Sequence, residues 1–289
     1  MKKKMKTNLF YGLLLLPALV LFVLFFIIPV AQSTWLSFTD SFGMKSTYHF
    51  IGLDNYKEAL RDLSFRKTIG ATSKYALISV VVGNILSLIL ALILDSKLRL
   101  KNSLRAVFFI PNIMSLLVVG YIWNFVYTSV FPDVLEGLGM KSFAILGSKT
   151  LVIPALAIVG IWNAAGYYMV IYIAALQGIS EDLIEAAKID GAGTLRLLFN
   201  IRLPLIASTV FTCLILSIAA HMKVFELPYT MTSGGPVGES TTMVYKIYTT
   251  AFNANRNGYA SAQSIIMFII IAAITLILNY IMKKREEKL

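Results

Sequence analysis

The chain has 289 residues, of which 57% are hydrophobic and 14% charged, with a formal net charge of +11. That balance excludes a soluble globular surface, because too few charged side chains exist to cover a domain of this length. The lysines and arginines fall in short clusters beside apolar runs rather than in one basic stripe, which excludes a nucleic-acid footprint and points to membrane topology.

Lys2, Lys3, Lys4 and Lys6 open the chain ahead of an apolar run over residues 9–31. This run is longer than the roughly 7–15 residues of a cleavable signal segment, so a retained helix is expected. Five further runs, at 75–94, 106–127, 151–176, 205–222 and 263–282, meet or nearly meet the roughly 20 apolar residues that cross a hydrocarbon core of about 30 Å. Pro17, Pro111 and Pro154 predict kinks rather than breaks in their spans, since neighbouring helices re-satisfy the freed carbonyls. Cys213 is the single cysteine and lies within the fifth run, so no disulfide within the chain and no metal site is expected.

Lys97, Arg99, Lys101 and Arg105 crowd the turn after the second run, and Lys283, Lys284, Arg285 and Lys288 close the chain. Basic residues in short flanking segments stay on the cytoplasmic side. Both termini, the 95–105 turn and the stretch 180–204 are therefore predicted to be cytoplasmic, and the loops 32–74, 128–150 and 223–262 external. In those outer loops, GLDNYKEALRD predicts a short helix beginning near Asp54, and TSGGPVGEST is turn-rich. The predicted fold is an all-α integral membrane bundle, a single domain over 1–289, with six transmembrane helices and a cytoplasmic helix-turn-helix.

That helix-turn-helix, EAAKIDGAGTLRLLFNIRLP over 185–204, is the polar exception in the second half of the chain. Ser180 is placed to cap a helix whose first turn carries Glu181 and Asp182, the charge sign a helix N-terminus favours. The helix is expected to end near Asp190, where Gly191 supplies a left-handed or tight conformation; Thr194 then caps a second short helix that ends at Pro204. Ala186 and Ala187 give a thin face, with Glu185 beside it. On these grounds alone a solvated connector explains the stretch as well as a docking element does.

The spacing Glu185-Ala186-Ala187, Gly191, Ile201 and Leu203-Pro204, together with Asp190, resembles the coupling-loop signature of permease subunits in binding-protein-dependent ABC importers. FIGLDNY (50–56), PNIMSLLVVGYIWNFVY (111–127), IYIAALQGIS (171–180), MTSGGP (231–236) and GYASAQS (258–264) are similar, in this order, to the carbohydrate-uptake branch that includes the maltose and glycerol-phosphate permeases. The resemblance implies a type I importer fold in a prokaryotic cell membrane. It further implies docking of 180–204 onto ABC ATPase subunits that hold ATP and Mg, a second permease in a heterodimer, and an extracellular solute-binding protein.

No Gly-x-x-x-x-Gly-Lys-Ser/Thr loop occurs, so ATP is expected on a partner. None of the six runs holds Asp, Glu, Lys or Arg, as a proton-driven carrier would require. His49 and His221 suggest no enzyme site, so a non-catalytic subunit is expected. Sugars are gripped by aromatic faces and hydrogen-bonding side chains, and the fourth run offers Trp162, Asn163, Tyr167 and Tyr168. Asn163 and Tyr167 share a helix face, as do Ser217 and His221 in the fifth, and the resemblance aligns both segments with sugar-contacting stretches of the maltose permease. Asn163 and His221 depart from the side chains found there, so the solute need not be maltose. Alternatives stay open: Asn163 bonding a neighbouring helix, His221 at the interface, a glycerol-phosphate-like solute, a passive channel or a scaffold.

Overall fold

The computed structural model describes residues 14–43, 47–96 and 99–286. Lys2, Lys3, Lys4, Lys6, Lys97 and Lys288, and the first residues of the run at 9–31, lie outside that range, as does the side chain of Arg285. Among the described residues the chain is helical apart from its loops and one isolated antiparallel bridge between Thr39 and Phe50.

Among the described residues, four helices are long and apolar enough to cross a membrane: Leu14–Leu36, Leu63–Leu94, Val152–Gln177 and Asn257–Lys284. Two bent pairs, Lys101–Ile113 with Leu116–Gly137 and Thr194–Leu205 with Ala207–His221, bring the total to six if each pair is one span. The second span starts at Leu63 rather than at 75 and runs for 32 residues, about 48 Å at 1.5 Å per residue. Its added turns carry Arg66, Lys67 and Lys74, because an apolar window marks the part in hydrocarbon and not where the helix ends.

The expectation of kinks without breaks fails for the third span. Its two helices meet at 94° across an extended Met114 and Ser115, three residues after Pro111. Proline lacks an N–H and its ring crowds the preceding turn, and here no continuous helix survives the loss. The fifth span breaks by 72° at Ile206, two residues after Pro204. Pro154 interrupts nothing, because it is the third residue of Val152–Gln177, where its missing N–H would have no partner within the helix. The segment from Leu14 to Leu36 is likewise helical throughout, with Pro17 near its described start.

The chain divides into two compact units, Met1–Leu63 with Ile247–Met267, and Ser64–Lys246 with Phe268–Leu289. In the first, the Leu14–Leu36 helix has no buried residue in its apolar window, so its surface requires lipid or another chain around it. The predicted short helix forms at Asp54–Arg61. Its buried Asn55 donates through Nδ2 to the carbonyls of Ser37 (2.9 Å) and Thr39 (2.8 Å), fixing the exit from the first helix. Arg256 clasps Glu58 through two hydrogen bonds of 2.7 and 2.6 Å and lies 4.4 Å from the centre of the Tyr259 ring. The His49 backbone N–H donates to Asp40 Oδ1 at 2.6 Å and holds that carboxyl below its ordinary pKa. Its stabilising effect is present above the unfolded aspartate pKa and is lost as pH falls through the lower folded value.

In the second unit, Val152–Gln177 is the most enclosed of the unbroken spans, with 61% of its apolar window buried. Two apolar clusters hold its ends. One joins Val152, Leu156 and Val159 to Tyr75, Val119 and Leu227; the other joins Tyr168, Met169, Tyr172 and Leu176 to Ala91, Leu94 and Cys213. Between them the helix approaches its neighbours with small residues: a Cβ on Gly166 would collide with the Phe108 backbone. Small residues at helix interfaces allow such close approach where lipid tails supply no competing hydrophobic drive.

Candidate functional site

The middle of the fourth span, between the two apolar clusters, borders a cavity of about 410 Å³. Asn163, Tyr167 and His221 line it, together with Tyr75, Asn112, Lys223 and Glu226. Three of the four solute-contact residues expected from the sequence therefore share one cavity. Ser217 does not line it. Its side chain is fully buried and accepts from Asn84 Nδ2 at 2.9 Å, while Tyr172 donates to Asn84 Oδ1 at 2.8 Å. This network ties the second, fourth and fifth spans together, and it places Ser217 on the packing side of its helix.

Each lining group has an identifiable support. Asn163 donates through Nδ2 to the Pro111 carbonyl at 2.6 Å, which also accepts the Met114 N–H at 3.3 Å in the last turn before the break in the third span. That interhelical bond uses one amide proton and leaves Oδ1 and the second proton for the cavity. His221 Nδ1 lies 2.7 Å from the Ser217 carbonyl. A carbonyl only accepts, so Nδ1 carries the proton and Nε2 is the acceptor of the neutral ring. The Tyr75 ring stands 5.9 Å from the imidazole, and Gly160 makes room for its hydroxyl, which a Cβ would strike. Tyr167 is 39% exposed, an accessible aromatic face. Trp162 instead packs edge-on against Trp123, with ring centres 5.6 Å apart, and is not in the lining.

Sequence reasoning missed Tyr75, Asn112, Lys223 and Glu226. Asn112 follows Pro111 directly, and proline-interrupted spans are where membrane cavities gather polar groups. Lys223 and Glu226 follow the end of the fifth span at His221 and line the cavity as well.

The 180–204 stretch forms a helix over Glu181–Ile189, a turn, and a second helical segment over Thr194–Leu205 with a wide π-type turn at Leu198–Arg202. Gly191 adopts φ +80°, as expected. Its N–H donates to the Lys188 carbonyl at 3.0 Å and the Ala192 N–H to the Ala187 carbonyl at 2.9 Å, the bond pair of a Schellman helix stop. The caps differ from expectation. Ser180 occupies the N-cap without a side-chain bond, and Gly193, not Thr194, caps the second segment.

The helix faces are also resolved. Glu181, Ile184, Glu185 and Lys188 line a cavity of about 610 Å³ with Asp95, Lys101 and Arg202, so Glu185 faces the chain's own 95–101 turn. Ala187 is buried and Ala186 exposed. The outward face carries Leu183 and Ile189, 52% and 85% exposed, beside Asp190 and Gly191. Ile201, Leu203 and Pro204 are half-buried in the second segment.

A probable starch degradation products transport system permease of Thermoanaerobacterium thermosulfurigenes is 34% identical over 99% of this chain and 98% of its own length. The multiple sugar-binding transport system permease MsmF of Streptococcus mutans is 32% identical over 94% of each chain. A bacterial alginate ABC transporter, solved in complex with its alginate pentasaccharide-bound periplasmic protein, contains a chain of the same fold, with a TM-score of 0.86 at 21% identity covering 98% and 97% of the two chains. Residues 83–288 match the family model of the inner membrane component of binding-protein-dependent transport systems. With that match over most of its length, and with full-length relatives above 30% identity, the chain belongs to the family of inner membrane components of binding-protein-dependent transport systems.

Proposed function

We propose that the chain is the transmembrane subunit of an ATP-driven importer that moves a sugar or oligosaccharide delivered by an external binding protein. One observation carries this reading. The helix bearing Asn163 and Tyr167 ends at Gln177, and after three residues the chain enters the exposed helix Glu181–Ile189. A movement imposed at 181–189 is thereby passed through a three-residue turn to Gln177, about 15 Å along its helix from Tyr167 in the cavity wall. Leu183 and Ile189 supply the docking surface, since burying a side chain of this size against a partner contributes roughly 1.5–3 kcal/mol. The partner is an ABC ATPase, which holds ATP and Mg; a second permease in a heterodimer completes the pathway. The sugar assignment rests on an accessible tyrosine face beside amide, imidazole and hydroxyl groups, and on the sugar-named permeases among the relatives.

Losing one hydrogen bond to a neutral solute, or one stacked ring, costs about 0.5–1.5 kcal/mol, so Asn163→Ala and Tyr167→Ala should each lower solute uptake roughly 2- to 13-fold. Assembly with the ATPase and basal hydrolysis should persist, because Tyr167 borders open space and Asn163 supplies a single bond to the third span beside its cavity face. Loss of assembly along with uptake would assign these side chains to packing instead.

Orientation follows from the same reading. A cysteine at Ser233, exposed in the 232–242 turn, should react with an impermeant thiol reagent from outside intact cells, whereas one at the exposed Thr194 should not. The reverse pattern would place the 180–204 stretch outside and end its role in coupling.

A further inference from the structure

The largest cavity described here is not the one beside Asn163. About 690 Å³ of space lies between the second span, the start of the fourth and the 238–239 turn, lined by Lys67, Gly70, Ala71, Lys74 and Ile78, by Lys149, Thr150, Ile153 and Pro154, and by Gly238 and Glu239. The five residues from the second span recur at helical spacing and form one face. Gly70 leaves that face open, since nothing lies within 4 Å of where its Cβ would stand.

The lining changes character along both helices in the same direction. On the second span it runs from Lys67 through Lys74 to Ile78, and on the fourth from Lys149 and Thr150 to Ile153 and Pro154. The apolar runs that cross the membrane start at residue 75, directly after Lys74, and at residue 151, two residues after Lys149. The cavity thus straddles a membrane–water boundary, cationic at its watery end and apolar at its lipid end. Among the described residues Lys67, Lys74 and Lys149 form no ion pair, and Glu239 offsets one of their three charges.

We propose that this cavity holds the headgroup of an anionic phospholipid, with the lysines on its phosphate and the proximal acyl carbons over Ile78, Ile153 and Pro154. A protein docking from water would meet the lysines but would leave the apolar floor uncovered. A lipid of the adjacent leaflet satisfies both ends with one molecule. The assignment is independent of what the chain transports and of which leaflet it faces.

The test uses the full-length chain with whatever subunits purify with it, in nanodiscs of phosphatidylcholine containing a minority of phosphatidylglycerol, with retained lipids counted by native mass spectrometry. Phosphatidylglycerol should be retained preferentially. Each of Lys67→Gln, Lys74→Gln and Lys149→Gln should lower that preference about fivefold, the factor matching about 1 kcal/mol per basic residue near an anionic surface. Gly70→Leu should reduce retention by filling the groove with no change of charge, and Glu239→Gln should raise the preference. That gain cannot come from misfolding. Retention blind to headgroup charge, or a loss in Glu239→Gln equal to that in the lysine variants, would overturn the proposal. Displacement of the lipid by inorganic phosphate would assign the site to a free phosphate. Lysine variants that keep the lipid but lose stimulation by a soluble partner would assign it to a protein surface.

Discussion

Gly191→Pro should reduce solute uptake at least tenfold while the chain still inserts in the membrane. Proline holds φ near −65°, and Gly191 sits at φ +80°, so the turn between Glu181–Ile189 and Thr194–Leu205 cannot form around it. The substitution also deletes the N–H that donates to the Lys188 carbonyl at 3.0 Å. With the helix stop gone, Leu183 and Ile189 no longer present one fixed face to a partner. Insertion is spared because the turn is exposed and nothing packs within 4 Å of the Gly191 Cβ position. A graded series checks the cause. Gly191→Asn should stay within a few-fold of wild type, since asparagine visits the left-handed region readily, and Gly191→Ala should fall between, at a backbone cost of about 1–2 kcal/mol. Uptake at matched expression is the measurement. Wild-type uptake by the proline variant would remove the basis for coupling through this loop.

Gly166→Val should have the largest effect on stability. The Gly166 Cα faces the backbone of the third span so closely that a Cβ would strike the Phe108 carbonyl oxygen, with the Phe109 Cα only 2.8 Å away. Backbone atoms cannot rotate aside as a flexible side-chain tip can. The helix Lys101–Ile113 would have to move off Val152–Gln177 as a unit, and overpacking of this kind typically costs about 1–3 kcal/mol, occasionally more. That displacement would also pull the Pro111 carbonyl from Asn163, 2.6 Å away, and open one wall of the cavity. Thermal unfolding in detergent should show a clear loss in transition temperature, with Gly166→Ala already affected. A valine variant as stable as wild type would mean that the two helices are not held at this distance.

These two glycines show what the sequence discloses. Gly191 was legible because a polar helix followed by glycine before a second cap is a local pattern, and local geometry decides it. Gly166 was not, because its constraint comes from a helix some sixty residues away, and one glycine in an apolar run looks like any other. The spans follow the same division. The fourth run, expected at 151–176, is a helix at Val152–Gln177, since burial in lipid and hydrogen-bond closure fix its length. The bend at Met114 was missed because a proline announces a lost hydrogen bond but not whether the neighbours repair it, whereas the helix end expected at Pro204 lies next to the observed break between Leu205 and Ala207.

In the cavity, Asn163 and His221 stood out as polar groups in apolar runs, and helical spacing attached Tyr167 to the first of them. Ser217 carried the same signal but is bound to Asn84. Asn84, the one amide side chain in the second run, was the unused clue that the fifth helix needed a bonding partner there. For Glu185 the residue pattern was visible but not its direction: the structure turns it toward the 95–101 turn and leaves Leu183 and Ile189 outward.

The most direct test of the account is ATP hydrolysis by the complex reconstituted in proteoliposomes with its partner permease, its ATPase subunits and its binding protein, challenged with a panel of oligosaccharides and with glycerol 3-phosphate. The account predicts that one or more sugars, delivered by the binding protein, stimulate hydrolysis and accumulate inside the vesicles, and that Gly191→Pro abolishes both responses. Solute entry without ATP, or stimulation by glycerol 3-phosphate with every sugar silent, would contradict it.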